Sequence, residues 1–98
     1  MPPALNLASQ ANTPAIISTS TALAVNNNRR YWSIQNVGTN PLFILLGSGA
    51  TSTVFHYVIK GGNGNSDGLG GSASSSNVVY TGLISIAGTT PLAVVTEL

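Results

Sequence analysis

The sequence predicts an all-β domain, a compact sandwich or jelly-roll-like barrel of about seven or eight short antiparallel strands. Three observations predict it. Short β-branched or alternating runs recur about every ten residues, with turn residues between them. No stretch holds a 3.6-residue apolar period for more than a few residues. The helix formers Glu, Lys and Gln are nearly absent.

Taken in order, residues 1–14 carry Pro2, Pro3 and Pro14 among small and polar residues and read as an extended arm. The domain proper is expected over 15–98. Ala15–Thr19 and Thr21–Val25 are short strand-like runs, and Asn26-Asn27-Asn28 is a turn, because Asn tolerates positive φ. Arg30–Val37 places Trp32 and Ile34 on one face and Ser33 and Gln35 on the other, the pattern of a half-buried strand. Pro41–Gly47 is apolar on both faces. Thr53–Lys60, Asn77–Thr81, Leu83–Ala87 and Pro91–Leu98 are the remaining strand-like runs. Residues 61–76 hold six Gly and five Ser, and that composition predicts a linker-like surface loop. Gly38-Thr39-Asn40-Pro41-Leu42 recurs as Gly88-Thr89-Thr90-Pro91-Leu92, and both copies read as hairpins.

Composition narrows the chemistry. The 98 residues carry five formal charges, Arg29, Arg30, Lys60, Asp67 and Glu97, whereas Ser, Thr, Asn and Gln number 34. A net charge of +1 supplies almost no phosphate-neutralising surface, so nucleic acid is not an expected partner. With no cysteine there is no disulfide, thiolate-held metal or thiol nucleophile. The longest unbroken apolar run, Leu42–Leu46, is far too short for a membrane-spanning helix. The first residues show neither a basic n-region nor a long apolar stretch, so no signal peptide is expected and synthesis in the cytoplasm is the default.

Catalysis has little to work with. A Ser/His/Asp arrangement would need His56 beside Asp67, which sits in the Gly/Ser stretch, so an enzyme is not expected. His56 reads as a strand residue and Glu97 as solvated. Asn63-Gly64-Asn65-Ser66-Asp67-Gly68 matches the first half of a calcium loop, but Ser74 stands where the bidentate Glu belongs. No metal, cofactor or small-molecule substrate is therefore expected. Lys60 precedes the glycines, so no phosphate loop forms. Trp32 reads as core. Arg29 and Arg30 read as rim residues, paired with a carboxylate across an interface. The strand Pro41–Gly47 needs cover on both faces, and so few charges do little to oppose association. A self-associating chain is expected.

One resemblance bears on this. Arg29-Arg30-Tyr31-Trp32-Ser33-Ile34-Gln35-Asn36-Val37-Gly38-Thr39-Asn40-Pro41-Leu42-Phe43-Ile44, followed by Gly47-Ser48-Gly49-Ala50-Thr51, resembles small β-rich structural proteins of tailed bacteriophages. Tyr80-Thr81-Gly82-Leu83-Ile84, Gly88-Thr89-Thr90 and Val94-Val95-Thr96-Glu97-Leu98 are similar to the same group. The resemblance implies a compact β-sandwich, often trimeric, that decorates or cements the exterior of a phage capsid across its major capsid protein subunits. The matching residues are turn and core positions, and no catalytic residue is implied. The expected oligomer or capsid contacts are Phe43, Leu45, Arg29, Arg30 and Tyr57. The alternative is a tail or fibre adhesion module that holds a host glycan on Tyr31, Trp32, Tyr57 or Tyr80.

Overall fold

The computed structural model describes residues 15–98. It contains eight strands and, among the described residues, no helix. They are β1 (Ala15–Ile17), β2 (Thr21–Leu23), β3 (Trp32–Asn36), β4 (Leu42–Leu46), β5 (Tyr57–Ile59), β6 (Ser72–Ser74), β7 (Ile84–Ala87) and β8 (Ala93–Glu97). Two four-stranded antiparallel sheets form, in the orders β1-β8-β3-β6 and β2-β7-β4-β5.

The pairs β1–β8, β2–β7, β3–β6 and β4–β5 nest inside one another, as in a single long hairpin. The lateral pairs β3–β8 and β4–β7 show that this hairpin is wrapped around itself. That is jelly-roll connectivity, and it realises the sandwich that the strand spacing predicts.

Alternation decides which face is buried. In β3, Trp32, Ile34 and Asn36 point inward; in β4, Leu42 and Ile44 do. Ile84 and Ile86 of β7 and Ala93 and Val95 of β8 meet them across the interior. Trp32, Ile34, Ile44 and Ile84 are essentially sealed from solvent.

The repeated Gly-Thr-x-Pro-Leu segments are not hairpins. β3 and β4 belong to different sheets, as do β7 and β8, so each segment is a corner where the chain changes sheet. The two corners lie side by side. The Asn40 amide donates to Thr89 O (3.0 Å) and Thr90 Oγ1 (3.3 Å), and Val37 N donates to Leu92 O (3.0 Å). Thr90, which stands where the first copy has Asn40, holds a φ of 45°, unusual for a β-branched residue. Period and turn chemistry locate such a corner without saying which sheet the next strand joins.

The 61–76 stretch is not a passive linker. Ser72–Ser74 is β6, which completes the β1-β8-β3-β6 sheet by pairing with Ser33, Ile34 and Gln35. Conversely, Asn77–Thr81 is not a strand, and the expected strand over Thr53–Lys60 shrinks to Tyr57–Ile59. The glycines serve close approach. A Cβ at Gly70 would run into Asn36 O, and one at Gly61 would run into the Thr39 carbonyl. The buried Asn36 amide donates to Asn40 O (2.8 Å) and Ile59 O (3.2 Å), and its Oδ1 accepts from Gly38 N. Gly70→Ala is therefore expected to lower stability by about 1–3 kcal/mol, while Gly64→Ala, with open space around it, has far less effect. Urea melts of the two variants check this; equal midpoints would mean the stretch is loosely attached. The extended arm expected for residues 1–14 lies outside the described residues.

The tip of this stretch is organised by Asp67. Its Oδ2 accepts from Asn63 N and Gly64 N (both 2.8 Å), and its Oδ1 accepts from Leu69 N (2.9 Å). These donors, Leu69 first and Gly64 next, hold the exposed Asp67 carboxyl below the ordinary aspartate value of 3.8, with desolvation acting in the opposite direction. With the folded pKa depressed, the contribution is present above the unfolded pKa and is lost as pH falls through the folded one. Amide exchange at Asn63, Gly64 and Leu69 should accelerate, relative to the intrinsic rate, below about pH 4. Asp67→Asn should remove that acid-dependent step; its persistence would show that another group governs the loop.

Candidate functional site

Two surfaces stand out on this frame. The first is the outer face of the β2-β7-β4-β5 sheet. Phe43 and Leu45 alternate with the inward Leu42 and Ile44, so they point outward. Phe43 lies opposite Val58 on β5 and Ala87 on β7. Phe55, from the β4–β5 connection, packs on Phe43 with ring centroids 5.0 Å apart. The need to cover this strand's second face is thus met in part within the chain.

Covering is incomplete. Phe55 and Val58, which both meet Phe43, remain 38% and 52% exposed, and Val54, beside Phe55 in the chain, is 50% exposed. No charged residue occurs in β2, β4, β5 or β7. Ser85, the buried polar residue of β7, is satisfied locally: its hydroxyl donates to Gly47 O (2.7 Å) and accepts from Ala50 N (3.0 Å). That pair folds the 47–50 turn onto the end of the sheet. His56 Nδ1 accepts from Leu46 N (3.0 Å), which places its proton on Nε2 and gives it a backbone-fixing role.

The second surface is a cleft of about 400 Å³, reached between β5 and β6, the edge strands of the two sheets. Trp32 forms its floor and meets Tyr57 edge-on, with ring centroids 6.1 Å apart and planes at 67°. Tyr80, Val79 and Leu46 line one side and Ser74, Ser75 and Ser76 the other.

Backbone hydrogen bonds hold both walls. Ser75 Oγ accepts from Trp32 N (3.0 Å), and Ser75 N donates to Trp32 O (2.9 Å). Opposite, Arg29 Nη1 donates to Tyr80 O (2.7 Å) and Gly82 O (3.0 Å), and Asn26 N donates to Thr81 O (2.8 Å).

These placements revise the expected contact set. Phe43 and Leu45 share the outward face of one strand, with Phe55 and Val58 joining Phe43. Tyr57, paired with the inward Ile44, sits at the cleft mouth rather than on that face. Arg30 is exposed, and its backbone N donates to Leu98 O (2.7 Å).

Arg29 is not a surface contact. Its side chain is fully buried, with Nε 2.7 Å from Glu97 Oε2 and Nη2 donating to Ala24 O (2.7 Å). Glu97, expected to be solvated, is only 17% exposed and serves as this partner. The carboxylate expected across an interface is supplied by the chain's own last strand. Sequence alone offered no signal for the pairing, since the two residues are 68 positions apart.

Comparison with family models, with curated proteins and with solved structures finds no match.

Proposed function

We propose that this chain is a virion structural protein that decorates or cements the exterior of a phage capsid, seated across major capsid protein subunits as a homotrimer. The observation that carries the reading is the apolar outer face of the β2-β7-β4-β5 sheet, where Phe43 and Val58 lie on strands without a charged residue and Phe55, from the β4–β5 connection, packs on Phe43. An apolar patch of this kind on so small a domain favours a partner surface. Cyclic self-association closes such a patch without open-ended growth. Repetition around a shell then turns weak single contacts into firm attachment. The jelly roll supports the reading in one respect: a wrapped two-sheet domain leaves only short edges, which suits a protein crowded against its own copies.

Cryo-electron microscopy of particles assembled with and without the gene tests this. The expected result is difference density on the shell exterior at a three-fold cluster. The same chain found on the tail, or absent from purified particles, overturns the capsid assignment.

A further inference from the structure

We infer that the cleft between β5 and β6 is a binding site for a neutral saccharide, held against Tyr57 and Tyr80. This does not rest on the decoration reading: the cleft is a different surface from the apolar sheet face.

Chemistry selects the ligand class. Among the described residues none of the side chains lining the cleft is charged. Arg29 stands behind the Tyr80 wall, but its donors are committed to Glu97 and to the carbonyls of Ala24, Tyr80 and Gly82. An anionic or cationic ligand would be desolvated there without a countercharge. A wholly apolar ligand is equally ill-suited. The hydroxyls of Tyr57, Ser74, Ser76 and Thr81 make no side-chain hydrogen bond to any described residue, and a hydrocarbon seated there would leave those it covers unpaired, whereas the Tyr80 hydroxyl lies against Gly82. A pyranose ring meets both conditions, with a C–H face for an aromatic ring and hydroxyls around its edge. Tyrosine supplies an apolar body with a polar tip for that purpose.

The cleft's volume of about 400 Å³ lies within the range of small-molecule sites, roughly 300–1,000 Å³. Its walls are preorganised by the Ser75–Trp32 and Arg29–Tyr80 hydrogen bonds, which lowers the entropy cost of binding. Roles among the aromatics follow from exposure. Trp32 is 2% exposed, so it cannot stack on a ligand and instead braces Tyr57 from below. Tyr57, 39% exposed, presents its ring at the mouth. Tyr80 is fixed over Gly82, where any Cβ would collide with its ring.

Trp32 is the single tryptophan of the chain and reports on the cleft. The wild-type protein is titrated with methyl glucosides, galactosides and mannosides, following Trp32 emission and the backbone amide resonances of Tyr57, Ser74–Ser76 and Thr81. A saturable change with millimolar affinity is expected for at least one of these neutral sugars. Tyr57→Ala and Tyr80→Ala should each weaken it at least tenfold, whereas Gln35→Ala, on the exposed face of β3, should leave it unchanged. Tyr57→Phe, which keeps the ring, should retain most of the affinity and guards against a folding artefact. Absence of a saturable response in both readouts overturns the inference. So does a response that survives both alanine variants, or tighter binding of sialic acid than of any neutral sugar.

Discussion

Replacing Arg29 by alanine is expected to cost about 3–5 kcal/mol of folding stability, the usual cost of removing one partner from a buried ion pair. The guanidinium joins three parts of the chain. It holds Glu97 on β8, the carbonyls of Tyr80 and Gly82 before β7, and Ala24 O after β2. Alanine would leave these acceptors without the donor they share, in a region where water has little access. A domain of this size has about 5–15 kcal/mol in total, so the loss would be visible as a large fall in urea midpoint with little change in slope. Arg29→Lys should recover part of the loss, because an ammonium cannot reproduce the planar fork. Glu97→Gln should be milder than either, since Nη1 and Nη2 keep their carbonyls. A loss below about 1 kcal/mol for Arg29→Ala, the scale of an exposed pair, would mean the clamp is not buried in solution.

Substitutions on the outer sheet face should instead act on assembly. Phe43→Asp places a carboxylate at the centre of the apolar cluster, beside Phe55 and opposite Val58. If that face is buried between copies, each copy would bury an unpaired charge. The expected weakening of self-association is at least a hundredfold, about 2.7 kcal/mol per contact. Phe43 also packs within the chain, so Val58→Asp is the cleaner variant: Val58 is 52% exposed and its loss leaves no cavity. Both variants should shift the protein to monomer in size-exclusion chromatography, and Val58→Asp should do so with its thermal midpoint nearly unchanged. A Val58→Asp variant that assembles like wild type would move the interface elsewhere.

Much of the architecture was legible in the sequence, because period-two alternation reports burial directly. Trp32 and Ile34 against Ser33 and Gln35 identify the inward face of β3 without knowledge of the partner strand, whereas at β7, where Ile84 and Ile86 alternate with Leu83 and Ser85, Ser85 is buried as well. Topology was less legible. Gly38–Leu42 and Gly88–Leu92 signal turns, yet turn chemistry is the same whether the chain folds back in one sheet or crosses to the other. β6 was hidden for a different reason. Ser72-Ala73-Ser74 has little strand propensity and pairs because β3 offers an open edge, a tertiary effect. Arg29 illustrates the same limit, since beside Arg30 it reads as half of a basic rim pair. Its burial depends on carbonyls and a carboxylate brought from distant positions. The candidate contacts Phe43 and Leu45 were legible as the second face of an apolar strand, whereas the cleft at Tyr57 and Tyr80 arises only when the edges of both sheets are placed.

In the proposed assembly, the β2-β7-β4-β5 face joins copies of this chain into a closed ring. Multi-angle light scattering of the purified protein at micromolar concentration tests it most directly. A monodisperse species of three 9.9 kDa chains is expected, falling to a single chain in Val58→Asp. A wild-type protein that runs as a monodisperse monomer would contradict it.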